Sequence, residues 1–122
     1  MKTVLLVDDS TTMLMSMKAG LEISGFKVEV ASDGEQAMHK LQAGLKPDII
    51  ITDIHMPRMD GIEFIRQARA KLRFTPILAL TTEGQKQHRD EARRLGATGW
   101  MLKPAKGSDL MKLIHQVSAQ TA

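Results

Sequence analysis

The chain has 122 residues, 43% of them hydrophobic and 25% charged, which is the size and composition of one soluble globular domain with its own core. A formal net charge of +3 and an aromatic content of 3% are too small for the basic stripe or the stacking platform of a nucleic-acid-binding surface. The chain has no cysteine, which excludes disulfides and thiolate metal sites, and no apolar run near the ~18 residues of a membrane-spanning helix. We therefore expect a single cytoplasmic domain over residues 1–122, monomeric by default, without nucleic-acid or membrane partners.

Apolar, strand-like runs alternate with amphipathic, helix-like segments along the whole chain. In chain order, the predicted strands are TVLLV, KVEVA, DIIIT, PILAL and TGWMLK. The predicted helices cover about Ser10–Ser24, Asp33–Ala43, Asp60–Lys71, Gly84–Leu95 and Ser108–Ala119. Strict alternation of this kind predicts an α/β fold, in which helices cover both faces of a doubly wound, five-stranded parallel sheet.

The strand sequences indicate which strands lie in the middle of the sheet. TVLLV, DIIIT and PILAL are apolar on both faces, as central strands are, whereas KVEVA alternates and TGWMLK is mixed. The strand order 2-1-3-4-5 is consistent with these patterns. Helix ends are marked by capping-box pairs and by glycines where helices should stop. These residues are Asp33 with Gln36, Asp60 with Glu63, and Gly25, Gly44 and Gly96.

Polar side chains follow four of the predicted strands at the point where each strand ends. They are Asp8 and Asp9 after the first strand, Asp53 after the third, Thr81 and Thr82 after the fourth, and Lys103 after the fifth. Each has an ordinary explanation by itself, as a cap, a turn former, a strand residue or a surface charge. Because ligands bind beyond the carboxyl ends of strands in such sheets, their joint appearance predicts a functional site at this edge.

Three carboxylates brought to one edge repel each other. At an effective dielectric constant near 20, each close pair costs about 4 kcal/mol at ~4 Å. The cluster must therefore hold protons, a cation or a lysine. Since oxygen ligands without cysteine suit a hard octahedral cation, the sequence favours Mg²⁺ as the cofactor.

Four segments carry a family resemblance: "LLVDDS", "DIIITDIHMPRMDG", "LALTTEG" and "GATGWMLKP". They closely resemble the receiver domains of bacterial two-component response regulators, in particular the single-domain chemotaxis regulators of the CheY type. The resemblance spans nearly the whole chain and implies a flavodoxin-like, CheY-like fold and a signalling switch rather than an enzyme. The order 2-1-3-4-5 is already known for this fold, so it is no independent result here.

Matched residue by residue, the resemblance implies a phosphorylation site. Asp53 would accept a phosphoryl group from a phosphohistidine of a histidine kinase of the CheA type. Asp9 and Asp53 would ligate Mg²⁺ through their side chains, His55 through its main-chain carbonyl, and Asp8 through a metal-bound water. Phosphoryl transfer needs such positioning and charge neutralisation more than covalent assistance.

The resemblance also implies a switch. Lys103 would neutralise one phosphoryl oxygen, and the Thr81 hydroxyl would bind another and move towards it. Trp100 stands where Tyr or Phe is usual and would turn inward, although plain packing against the fourth helix explains it equally well. Pro104 is expected to follow a cis peptide bond, and Gly61 is expected to need a positive φ.

Output is expected through the fourth helix with the fifth strand and fifth helix. The fourth helix has only Ala92 and Leu95 as firm apolar anchors, so it should be weakly held. Its basic residues suggest an acidic partner or simply a solvated face; they are Lys86, Arg89, Arg93 and Arg94. Candidate partners are a flagellar motor switch protein or a phosphatase, and the alternative is a phosphorelay intermediate or a phosphate sink. Ala105, where Phe is frequent, and Thr82, where a smaller residue is common, depart from the family pattern.

Two other functions fit the same architecture. A phosphatase with an aspartate nucleophile usually carries a second acid two residues later, where this chain has His55. A flavin- or nucleotide-binding module would need glycines in the loop after the first strand, but that loop, "DDSTTM", is anionic and has none.

Overall fold

The structure, a computed structural model, describes residues 2–56, 58–81, 86–103 and 107–121, with side chains over 2–56, 58–80, 90–103 and 109–116. Strands and helices alternate along these residues. The strands are β1 (Thr3–Val7), β2 (Lys27–Ala31), β3 (Ile49–Asp53), β4 (Ile77–Thr81) and β5 (Gly99–Leu102). The helices are α1 (Thr11–Ile23), α2 (Gly34–Gln42), α3 (Gly61–Lys71), α4 (Lys86–Leu95) and α5 (Gly107–Thr121). No helix in the described ranges is long and apolar enough to cross a bilayer.

The five strands form one parallel sheet in the order β2-β1-β3-β4-β5. The predicted fold class and strand order are therefore confirmed. The two strands with mixed sequence patterns, β2 and β5, lie at the two edges. Every residue of the central strand β3 is buried, because helices cover both of its faces.

The core consists of two hydrophobic clusters, one on each face of the sheet. Alternate strand side chains such as Leu5 and Ile50 lie in the cluster under α2, α3 and α4, together with Phe64. Their neighbours Leu6 and Ile51 lie in the opposite cluster, under α1 and α5. Burial of both strand faces removes the large apolar surface of β1, β3 and β4 from water, which is the main stabilising contribution in such a sheet.

The element boundaries differ slightly from the sequence prediction. The strands β3 and β4 begin and end one residue later than DIIIT and PILAL, so that they end at Asp53 and Thr81. The helix α5 is longer at both ends than the predicted Ser108–Ala119. The sequence predicts that the fourth helix begins at Gly84, which lies outside the described residues. The structure describes α4 from Lys86 onwards.

Both predicted aspartate caps are present. The Asp33 Oδ1 atom accepts the Gln36 N–H at 2.8 Å, and the Asp60 Oδ1 atom accepts the Glu63 N–H at 2.9 Å. The side-chain oxygen of Gln36 accepts the N–H of Ser32, one residue before the cap. Each cap satisfies a backbone donor that the first helical turn leaves without a partner.

Gly61 has a different role from the one the sequence suggested. It is not among the described glycines with positive φ, so the expectation of a left-handed conformation is wrong. A Cβ at this position would overlap the Asp53 carbonyl oxygen and lie 2.6 Å from the Ile54 Cα atom. The Gly61 N–H also donates to the Ile54 carbonyl at 2.7 Å. Glycine is required because α3 begins directly against the backbone at the end of β3.

Replacing Gly61 by alanine should therefore disturb the backbone at Asp53. We expect Gly61→Ala to lower the free energy of unfolding by about 3 kcal/mol, because the added methyl group meets backbone that cannot move aside. The matched control is Gly20→Ala, in α1, where a Cβ would meet nothing within 4 Å. This control should stabilise the chain by ~0.5–1 kcal/mol through helix propensity. Urea unfolding measures both, and equal effects for the two variants would contradict the proposed contact.

Candidate functional site

Three carboxylates meet at the carboxyl edge of the sheet. Asp8 and Asp9 follow β1, and Asp53 is the last residue of β3. One carboxylate oxygen from each residue lies within 4.8 Å of the other two. Asp8 and Asp53 are buried, whereas Asp9 is exposed to solvent. The structure thus brings together the acidic residues that the sequence placed at this edge.

The strand pairing explains why these residues meet. Val7 lies opposite Thr52 in the β1–β3 register, so the next residue of each strand, Asp8 and Asp53, emerges at the same level. The Asp8 N–H donates to the Ala31 carbonyl at 3.1 Å, which attaches the end of β1 to β2. Neighbouring parallel strands therefore deliver both carboxylates to one point.

Nearby backbone donors orient two of the carboxylates. The Asp8 Oδ1 atom accepts the Ser10 N–H at 2.9 Å, in the turn before α1. The Asp53 Oδ1 atom accepts the Ile54 N–H at 2.7 Å. Each carboxylate keeps a second oxygen directed towards the space between the strands, and these second oxygens have the same partner.

That partner is Lys103, which directly follows β5. Its Nζ atom donates to the Asp53 Oδ2 atom at 2.9 Å and to the Asp8 Oδ2 atom at 3.0 Å. The Lys103 side chain is 17% exposed, so its charge is only partly hydrated. Since the sequence required protons, a cation or a lysine to relieve the repulsion, the structure identifies the lysine as one relieving charge.

The pKa values of the pair reflect two opposing effects. Burial raises the pKa of Asp53, and the neighbouring Asp8 charge adds to this, while Lys103 and the Ile54 N–H lower it; the net shift is upward. Burial lowers the pKa of Lys103, but hydrogen bonds and attraction to Asp53 and Asp8 outweigh burial, so that its net shift is also upward. Lys103 is therefore held as a cation, and the ionised form of Asp53 depends on it.

The carboxylates also fit a divalent metal ion. All three donors in the cluster are carboxylate oxygens, the ligand type that Mg²⁺ prefers. Asp9 opens the cluster to solvent, which gives an ion access. His55, expected to contribute a main-chain carbonyl, lies two residues beyond Asp53 on an exposed part of the chain.

The expected switch residues lie on the strands next to this cluster. Thr81 ends β4 and lies opposite Leu102, which directly precedes Lys103. The side chain of Thr81 lies outside the described part of the chain. Trp100 in β5 is partly buried against the core cluster under α2, α3 and α4, which agrees with the packing interpretation. It also lines a cavity of about 290 Å³ together with Ala92 and Leu113.

Several residues named from the sequence lie outside the described residues or their described side chains. These are Pro57, Thr82, Pro104 and Ala105, together with the side chains of Lys86 and Arg89. The two anchors expected for α4 are present: Ala92 is buried, and Leu95 packs on the core.

Arg69 is an anchor that the sequence did not reveal. Its guanidinium donates twice to the Gly96 carbonyl, at 2.7 and 3.1 Å, and once each to the carbonyls of Leu72 and Arg73, at 3.0 Å. These contacts attach the end of α3 to the turn that follows α4. In the sequence, a basic residue in the last turn of a helix is already explained by the helix dipole, so no signal pointed to this contact.

Comparison with known proteins identifies a family and several relatives of this chain. The sequence matches the family described as response regulator receiver domain over residues 4–115. It is 39% identical, over 103 residues, to the alkaline phosphatase synthesis transcriptional regulatory protein PhoP of Bacillus subtilis, which covers 84% of this chain and 42% of PhoP. It is 34% identical over 120 residues to the sensor protein EvgS of Escherichia coli, covering 95% of this chain and 10% of EvgS. The chain thus spans less than half the length of these two relatives.

Solved structures show the same fold. The chemotaxis response regulator CheY4 of Vibrio cholerae superimposes with a TM-score of 0.88 at 40% sequence identity. The match covers 96% of this chain and 98% of the CheY4 chain.

Removing the charge of Lys103 should expose the repulsion that it relieves. We expect Lys103→Met to cost about 3–5 kcal/mol of unfolding free energy at pH 7, because two buried carboxylates lose their cation. The pKa of Asp53 should rise further in this variant. Above that pKa the ionised carboxylate destabilises the fold, so the loss of unfolding free energy shrinks as the pH falls from 7. Millimolar Mg²⁺ should stabilise this variant more than the native chain, since no ammonium competes for the carboxylates.

The control for this measurement is Lys40→Met. Lys40 pairs with Glu29 at 3.4 Å on the exposed edge of the sheet, where a salt bridge contributes ~0–1 kcal/mol. Urea unfolding at several pH values, with and without Mg²⁺, measures both variants. If the two lysines have equal and pH-independent effects, Lys103 does not compensate the buried carboxylates.

Proposed function

This chain belongs to the family of response regulator receiver domains, and we propose that Asp53 is the residue on which it is phosphorylated. Receiver domains accept a phosphoryl group from a histidine kinase, and they are typically signalling switches rather than enzymes. The observation that carries the proposal is the hydrogen bond between the buried Asp53 carboxylate and the Lys103 ammonium, beside two further carboxylates.

Asp53 combines access with charge compensation better than its neighbours do. Its side chain is 9% exposed, against 1% for Asp8, which supports approach of a donor group to Asp53. Lys103 contacts both of these residues, while Asp9 is open to solvent. A phosphoryl group on Asp53 would therefore stay within reach of the Lys103 ammonium.

The proposed transfer joins an oxygen of Asp53 to the phosphoryl group of the donor. An Asp53 oxygen attacks phosphorus while the bond from phosphorus to the donor imidazole nitrogen breaks, and the electron pair of that bond stays on the imidazole. Negative charge then spreads over the phosphoryl oxygens. Lys103 donates to one of them, exchanging its present bond to the Asp53 Oδ2 atom. We assign the bond to a second oxygen to the Thr81 hydroxyl.

Receiver domains generally bind Mg²⁺ at an acidic pocket, and we assign that pocket to the carboxylate cluster. Asp9 and Asp53 would hold the ion by their side chains, His55 by its main-chain carbonyl, and Asp8 through water. Bound there, Mg²⁺ would supply positive charge close to the oxygens of the transferring group. The oxygen-only donor set and the exposed side of Asp9 support this assignment.

The phosphorylation site is tested by labelling with a small phosphodonor. We expect Asp53→Asn to lose acyl-phosphate labelling, measured by mass spectrometry after incubation with acetyl phosphate and Mg²⁺, because an amide is a poor nucleophile. Asp60→Asn is the control, since Asp60 caps α3 and asparagine caps as well as aspartate. One phosphoryl group per native chain is expected. Normal labelling of Asp53→Asn would disprove the site, and many rapid turnovers of a phosphate monoester would favour a phosphatase.

For output, we propose that the phosphorylated chain binds a partner in chemotaxis, with the flagellar motor switch as the candidate target. The similarity to the chemotaxis regulator CheY4, over almost the full length of both chains, supports this proposal. We assign the switch to Thr81 and Trp100. The cavity that Trp100 lines with Ala92 and Leu113 supports the assignment of Trp100.

A phosphorelay intermediate or phosphate sink is the second candidate, favoured by the match of this sequence to a segment of the sensor protein EvgS. Affinity capture with the chain as bait, with and without beryllofluoride as the phosphoryl substitute, separates the two. Enrichment of a flagellar switch protein only with beryllofluoride is expected for chemotaxis. Enrichment of a histidine phosphotransfer protein alone would contradict chemotaxis and support the relay.

A further inference from the structure

The loop between β3 and α3, described over residues 54–56 and 58–60, is attached to a neighbouring turn by contacts that the proposed chemistry does not use. This loop carries His55. The neighbouring turn is Asp33–Gly34, where β2 gives way to α2. One side chain and one backbone group join the two segments across the edge of the sheet.

The side-chain contact is an ion pair with a buried acid. The Arg58 Nη1 atom donates to the Asp33 Oδ2 atom at 3.0 Å. The Asp33 side chain is 2% exposed, whereas that of Arg58 is 66% exposed. An exposed side chain of the loop is therefore bound to a buried carboxylate at the start of α2. The other Asp33 oxygen caps α2 by accepting the Gln36 N–H. This hydrogen bond is the largest influence that lowers the pKa of Asp33, and Arg58 lowers it further, so Asp33 is charged at neutral pH.

The backbone contact lies one residue further along each segment. The Gly34 N–H donates to the Met59 carbonyl at 3.2 Å. A Cβ on Gly34 would lie 2.8 Å from that carbonyl oxygen and 2.9 Å from the Met59 Cγ atom. The absence of a side chain on Gly34 is therefore what allows the loop to approach the start of α2.

Arg58 holds an unfavourable backbone conformation at this contact. Its φ of 66° is the only positive φ of a non-glycine residue in the described ranges. A left-handed conformation is unfavourable for an arginine, and it persists only where surrounding contacts enforce it. Two contacts can enforce it, the ion pair of Arg58 with Asp33 and the hydrogen bond from Gly34 to the Met59 carbonyl.

We propose that Asp33 is a positioning residue for the metal site, which fixes the β3–α3 loop through Arg58 and so holds the main chain of His55 in place. This inference rests on the proposed function, because His55 matters only if its carbonyl binds Mg²⁺. Asp33 is not one of the three carboxylates of the proposed metal site, which are those of Asp8, Asp9 and Asp53. Its contribution is to reduce the number of conformations that the loop can adopt before the ion binds.

The test uses two variants with opposite changes of charge. If only long-range charge matters, Arg58→Ala removes a positive charge and should bind Mg²⁺ more strongly. Asp33→Asn removes a negative charge and should then bind Mg²⁺ more weakly. Positioning predicts instead that both variants bind Mg²⁺ about 10-fold more weakly, as is usual when an outer support of a metal site is lost. Asparagine also keeps the cap of α2, so Asp33→Asn should remain folded.

Two measurements and one control complete the test. Calorimetric titration gives the Mg²⁺ dissociation constant, and hydrogen exchange of the metal-free chain should be faster at residues 54–60 in both variants. Arg66→Ala is the control, because Arg66 also carries a positive charge but forms its exposed ion pair within α3, with the Glu63 side chain; this variant should change neither quantity. Opposite shifts of affinity in Arg58→Ala and Asp33→Asn, or unchanged exchange of the loop, would overturn the inference.

Mg²⁺ binding and Asp53 labelling of the native chain separate the positioning role of Asp33 from the proposed function. If the native chain binds Mg²⁺ and is labelled on Asp53 while both variants bind Mg²⁺ equally well, only the positioning role is wrong. If the native chain binds no Mg²⁺ at millimolar concentration, the proposed metal site is wrong, and the inference falls with it.

Discussion

The ion pair between Lys103 and the two buried carboxylates is the interaction on which the rest of this structure depends. Asp8 and Asp53 lie at the ends of adjacent strands and are nearly inaccessible to water, so each would destabilise the fold if it were left ionised and unpaired. Lys103 contacts both at about 3 Å. In the proposed function, a phosphoryl group replaces Asp53 as the partner of the Lys103 ammonium, and Mg²⁺ supplies positive charge to the carboxylates.

The parallel sheet is what brings these groups together. In the order β2-β1-β3-β4-β5, the carboxyl ends of β1, β3 and β5 face one edge, although Lys103 is 95 residues away from Asp8 in the chain. The buried strands make this edge rigid, while the loops that leave it supply the polar groups. Gly61 extends the arrangement by letting α3 start against the backbone of Asp53. Precise placement of a few charges is therefore a consequence of packing elsewhere.

Most of the fold and the membership of the acidic cluster could be predicted from the sequence, because both follow from short patterns. Apolar runs such as Ile49–Ile51 identify a buried strand, and the acids at strand ends must then meet at one edge. The contacts of Arg69 and the pair formed by Asp33 and Arg58 could not be predicted, since each joins residues that are far apart in sequence and have ordinary local explanations. Gly61 was explained wrongly because a glycine that permits close approach looks the same in sequence as one that permits a positive φ.

A crystal structure of the chain with Mg²⁺ and beryllofluoride would test the central claim most directly. The account predicts beryllium bonded to an Asp53 oxygen, with the Lys103 Nζ atom moved from the Asp53 Oδ2 atom to a hydrogen-bonding distance from a fluoride. A structure in which the Asp53–Lys103 hydrogen bond is intact and the beryllofluoride lies elsewhere, or is absent at saturating concentration, would contradict it.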